Sequence, residues 1–184
     1  MLMDSQIRDN PFIAGYEKAV IKAHKKYAEY RLLEYGHAPV EIKEDLLNEI
    51  ISACKKYELY PLLLSCLDKK RWLEGLRSDM KALNEITADM NHCREREKAV
   101  SIASGYVLQL KIMYETSGKI NPAEVICFLT AAISDFKKQN ERFKSPSVLY
   151  YQKFLEMDEQ SNLNNHTAAK QICQEIIQLV FAEP

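Results

Sequence analysis

The chain has 184 residues, with 25 Lys plus Arg against 26 Asp plus Glu, and only five glycines. Hydrophobic residues make up 47% and charged residues 28%, the balance of an ordinary globular protein, which excludes collagen, disulfide-dense mini-proteins and acidic disordered tails. So few glycines also argue against sandwiches and barrels, whose many tight turns call for them.

Apolar residues recur at steps of three and four almost throughout, and no run of strict alternation competes. Asn10-Pro11 opens a first helix, whose stripe runs Ile13, Tyr16, Val20, Ala23, Tyr27 and Tyr30. Gly36 reads as its C-cap. A second helix follows Pro39 and carries Leu47, Ile50, Cys54 and Tyr57 on one face. Tyr60-Pro61 interrupts it, because the residue before proline avoids the helical region. The pattern resumes through Leu62-Leu63-Leu64 and then a long stripe: Leu73, Leu76, Met80, Leu83, Thr87 and Met90. Gly75 lies inside it, at a cost of ~1 kcal/mol relative to alanine.

Residues 91–98 are almost wholly polar. The stripe beyond them (Val100, Ala103, Val107, Leu110, Tyr114) is rotated by roughly 80°, at ~100° per residue, so a helix break is expected near 91–93. Ser117-Gly118 ends that helix, and Asn121-Pro122 starts one bearing Val125, Leu129, Ala132 and Phe136. Ser145-Pro146 starts a short helix with Val148, Tyr151 and Leu155. After the polar stretch 158–165 the last helix carries Ala169, Ile172, Ile176 and Leu179. The expected fold is therefore all-α: an irregular single-domain helical bundle of seven or eight helices over residues 1–184, built largely from antiparallel helical hairpins. Residues 1–9 read as a flexible N-terminus. A solenoid of degenerate hairpins is the alternative topology, although the proline-led starts at 11, 39, 61, 122 and 146 are unevenly spaced.

The opening Met1-Leu2-Met3-Asp4-Ser5-Gln6 has neither the basic nor the apolar region of a secretory signal. No apolar run approaches the ~20 residues of a spanning helix, so no membrane span is expected. Five cysteines, an odd count with no C-x-x-C pair, fit a reducing cytoplasm. A signal-less exported effector would carry the same features.

Candidate chemistry is sparse. Di-iron bundles use Glu-x-x-His pairs facing inward from the middle of helices; Glu34-x-x-His37 and Asp89-x-x-His92 have that spacing but fall at expected helix ends. There, solvated or capping histidines are the plainer reading. Cys93 lies between His92 and Arg94, beside a possible helix start, where a thiol pKa is lowered, yet most helical cysteines are inert. Phosphate-cradling loops, nucleophile elbows and H-E-x-x-H segments do not occur, and no cofactor, metal or catalytic residue is assigned.

Two basic-aromatic clusters remain. One is Lys69-Lys70-Arg71-Trp72, which holds the single tryptophan; the other gathers Lys137, Lys138, Arg142, Lys144, Tyr150 and Tyr151. Arginine and aromatic side chains are enriched in binding hot spots. The plainer alternative puts Trp72 in the core and the cations on a solvated face. Among ten tyrosines, Tyr35 is off the first stripe and expected to be exposed, and a tyrosine-edged groove would suit a partner helix. Lys69, Lys70, Arg71, Trp72 and Tyr35 are thus the candidate partner-binding residues. The reading preferred is a non-enzymatic protein–protein interaction module, an adaptor, regulator or effector-type protein. A nucleic-acid-associated regulator comes second, disfavoured by the net charge of -1, and an enzyme or metal protein using a His/carboxylate or Cys site third. Oligomeric state is not legible.

Overall fold

The computed structural model describes residues 11–116 and 121–181, and these form seven helices with no strand among them. In chain order they are α1 (Pro11–Tyr35), α2 (Val40–Lys56), α3 (Tyr60–Arg77), α4 (Met80–Thr116), α5 (Pro122–Phe143), α6 (Pro146–Asn162) and α7 (His166–Phe181). The all-α bundle expected from periodicity is what forms. The expectations for residues 1–9, Asn10 and Ser117-Gly118, and those for the side chains of Ile13 and Tyr16, lie outside what is described.

Proline and a short polar side chain set the helix starts in the second half. Asn121 accepts a hydrogen bond from the Ala123 amide at 3.0 Å and Ser145 accepts one from the Val148 amide at 3.3 Å, each with proline in the first turn. Helix α6 runs on through Asn162, so the polar stretch 158–165 is mostly helical. The helix ends are unusual in a different way. Among the described residues five corners are turned by residues with positive φ, and none is glycine: His37, Glu58, Ser78, Lys144 and Asn164. Gly36 caps α1 as expected, its amide donating to the Leu32 carbonyl at 2.9 Å, and the left-handed residue is the next one, His37. Its successor Ala38 donates to the Leu33 carbonyl at 3.0 Å, the longer bond of a Schellman end. Leu59 to Cys54 and Asn165 to Gln160 repeat that bond, both at 2.9 Å.

The chain falls into two compact units, one up to Glu95 and the other from Arg96. In the first, α1 packs on α2 and α2 on α3, burying Ala23 and Tyr30 with Leu47, Ile50, Leu63, Leu67 and Leu73. In the second, α5 packs on α6 and α6 on α7, and Leu110, Leu129, Phe136, Val148 and Leu155 are among its fully enclosed side chains.

The long helix α4 overturns the expected break at 91–93. It runs unbroken through Asn91–Lys98, which holds no proline or glycine. The register change has another cause. Ile86, Met90 and Cys93 are buried in the first unit, whereas Ala99, Ala103 and Leu110 are buried in the second. The step of six from Cys93 to Ala99 is out of phase with a turn of about 3.6 residues, so the phase changes where the helix passes from one unit to the other. Arg96 marks the change, donating to the Phe143 carbonyl at 2.7 Å and so satisfying the open end of α5.

The break that does occur lies at Ser78-Asp79. Ser78 adopts φ 58°, and the Asp79 carboxylate accepts the Lys81 and Ala82 amides at 3.0 Å each. Sequence periodicity hid it, because Leu73, Leu76, Met80 and Leu83 keep step across the corner.

Two stability measurements check this packing. Leu110→Ala removes a side chain only 2% exposed, and denaturant melts are expected to show a loss of 2–5 kcal/mol, the usual range of about that size for emptying a buried leucine site. Lys144 is exposed and held at φ 48°, a conformation strained for any residue with a Cβ. Lys144→Gly is expected to raise stability by about 0.5–1 kcal/mol.

Candidate functional site

Four consecutive residues of α3 divide between two faces. Lys69 and Lys70 turn towards the other helices of the unit: the Lys69 ammonium lies 2.7 Å from Glu34 Oε1 on α1, and Lys70 donates to Asn48 Oδ1 on α2 at 2.7 Å. Arg71 stays on its own helix, 2.5 Å from Asp68 Oδ1. Arg77, a turn and a half on, reaches Glu44 at 2.7 Å and Glu74 at 3.4 Å. Its hydrogen bond holds the Glu44 carboxyl below the ordinary glutamate range, against the opposing effect of partial burial. Lys69, Arg71 and Arg77 are thus paired with carboxylates locally, while Lys70 is held by a neutral amide.

Trp72 does not pack in the core. It is 59% exposed, and with it Leu76 is 61% and Met80 67% exposed. A shallow cavity of about 390 Å³ is lined by Asp68, Arg71, Trp72, Gly75, Leu76 and Leu83. The Ser78-Asp79 corner explains its composition. Leu73 remains on the buried side of α3, while the chain's change of direction leaves Leu76 and Met80 without a core to enter. Gly75 adds to the opening, because a Cβ there would meet nothing within 4 Å. The apolar stripe that looked like core in the sequence is, over this turn, a surface.

Tyr35 is exposed at 70% at the end of α1. It lies under Arg31, whose guanidinium carbon is 5.6 Å from the ring centroid and which donates to the Tyr35 hydroxyl at 3.0 Å. Tyr30, in contrast, is enclosed, and burial together with Glu34 pushes its hydroxyl up to about 12. In the second cluster Arg142 covers the Phe143 ring at 4.8 Å, and Tyr150 and Tyr151 meet edge to face at 5.5 Å.

The chemistry-bearing alternatives take ordinary structural places. Glu34 is held by Lys69, and His37 turns a corner beyond α1. Asp89 pairs with Lys55 at 2.9 Å. Among the described residues no three His, Cys, Asp or Glu side chains are placed to hold a metal ion. Cys93 lies buried in mid-helix rather than at the helix start expected beside it, with Sγ 3.9 Å from the Tyr60 carbonyl. Cys54 and Cys66 are buried in the same unit; desolvation chiefly pushes their thiols up to about 11 and about 12.

A feature missed in the sequence is a row of lysines on α1. Lys18, Lys22 and Lys26 recur every fourth residue, which keeps them on one helix face. That spacing is readable in the sequence, although the three lysines are not adjacent in it and meet only in helical register. Among the described residues no helix is long and apolar enough to cross a membrane. No protein-family profile, curated protein or solved structure matches the chain.

The five thiols divide cleanly, with Cys54, Cys66 and Cys93 buried and Cys127 and Cys173 exposed. Titration of the native protein with Ellman's reagent is expected to modify Cys127 and Cys173 rapidly, and the other three only after unfolding. Fast reaction of Cys54 or Cys66 in the native state would contradict the packing of the first unit.

Proposed function

We propose that the chain is a non-enzymatic protein–protein interaction module that binds its partner through the surface around Trp72. The observation that carries this reading is the exposure of Trp72 and Leu76 on one shallow cavity, which Leu83 also lines, at the end of α3. Exposing large apolar side chains side by side costs about 25 cal/mol for every Å² left in water, and such patches mark binding surfaces. Tryptophan is the residue type that most often supplies a large share of binding energy at an interface, with arginine close behind. Arg71 stands beside it, already aligned by Asp68. An adaptor, regulator or effector-type role is consistent with a surface of this kind. A nucleic-acid role is less well supported here, because Lys69, Arg71 and Arg77 face carboxylates of the same unit and have little charge left for phosphates.

Trp72 is the only tryptophan, so its fluorescence reports this surface alone. In the free protein iodide is expected to quench the emission readily, as for a water-exposed indole. Trp72→Ala is expected to change stability by no more than about 0.5 kcal/mol, and Trp72→Ala with Leu76→Ala to abolish partner capture in affinity purification. Unchanged capture by the folded double variant would place the interface elsewhere.

A further inference from the structure

The groove between α1 and α2 carries a second binding assignment. It has a volume of about 440 Å³. One wall is the lysine row of α1, Lys18, Lys22 and Lys26; Lys56 and Tyr57 close the α2 side. The floor is made by small or enclosed apolar side chains, chiefly Ala19, Ala23 and Ala53. Lys26 pairs with Glu49 across the groove, and Lys56 lies over the Tyr57 ring at 5.4 Å from its centroid. Lys18 and Lys22 are exposed; the hydrogen bond and field of Lys26 hold the Glu49 carboxyl below the ordinary range, and Lys22 adds its field to them. In a protein of net charge -1, four lysines against one glutamate on a single groove is a local concentration of positive charge.

We propose that this groove receives an acidic amphipathic helix of a partner protein. Each four-residue step along α1 rises about 6 Å and stays on one face. A second helix with carboxylates at every fourth position presents the same repeat, so its acids meet Lys18 and Lys22 in register. The alanine floor then admits that helix's own apolar side chains at close approach. A nucleic acid fits less well. The Glu49 carboxylate stands in the wall, no arginine lines the groove, and its one ring, Tyr57, is half-buried beneath an ammonium. This site goes beyond the Trp72 surface and stands or falls separately from it.

The test is fluorescence anisotropy of the full chain with a fluorescein-labelled designed helix of about fifteen residues, with Glu at every fourth position and Ala and Leu on the adjoining stripe. Saturable binding that weakens as salt is raised is expected. Replacing Glu by Gln in the probe, or Lys18→Glu with Lys22→Glu in the protein, is expected to weaken it about tenfold or more. Circular dichroism of the double variant verifies that it remains helical; if it does not, Lys18→Gln with Lys22→Gln takes its place. Trp72→Ala is expected to leave the affinity unchanged. The proposal is overturned if the probe fails to saturate, or if both lysine variants bind as tightly as the parent. It is equally overturned if Trp72→Ala abolishes binding, or if a random single-stranded oligonucleotide or a phosphatidylserine vesicle binds the groove more tightly than the peptide.

Discussion

One constraint bears on both units: α4 stays helical through Asn91–Lys98 while its buried stripe changes phase. A helix offers roughly one apolar face per core. Here Ile86, Met90 and Cys93 serve one core and Ala99, Ala103 and Leu110 the other. The polar run between Asn91 and Lys98 is the place where the stripe changes sides, and its side chains are mostly exposed. Helix-compatible residues throughout that run let the backbone bonds continue where a proline or glycine would have ended them.

That arrangement also explains which parts of the fold were legible in the sequence. Asn121-Pro122 and Ser145-Pro146 could be read directly, because a cap and a fixed φ act within a few residues and need no tertiary information. The phase change was equally visible, but periodicity records which face is apolar and not whether the backbone continues. A break at 91–93 and a continuous helix serving two cores give the same pattern. The opposite error hid the corner at Ser78-Asp79: there the stripe keeps its phase while the backbone turns. Gly36 was readable as the cap that ends α1, although the left-handed residue is the one after it. Glycine is favoured at the left-handed position but not required there, and His37 occupies it instead.

The candidate site was legible in residue type more than in geometry. Lys69-Lys70-Arg71-Trp72 was singled out as a basic-aromatic cluster, but the structure separates its charges from its ring. Glu34, Asn48 and Asp68 hold the cations, and Trp72 shares a cavity with Leu76 and Leu83, residues that periodicity had assigned to the core. Polar partners more than twenty positions away, such as Glu34 for Lys69 and Asn48 for Lys70, leave no local trace in a sequence. The α1 lysine row did leave one, at i, i+4 and i+8, and its significance depends on the wall that α2 provides.

The packing of each helix on its neighbour in sequence has a kinetic consequence. Partners α1 and α2, α2 and α3, α5 and α6, and α6 and α7 are joined by links of two to four residues. Most native contacts therefore close small loops, and little chain entropy is lost before each begins to stabilise the fold. Chains of such low contact order fold on a timescale of roughly microseconds to milliseconds. The slow steps are then left to whatever orders α4, since its two halves answer to different cores. Mutations at Ile86 or Met90 should alter the folding rate of the first unit, and those at Ala103 or Leu110 that of the second, which makes one helix a probe of two nucleation events.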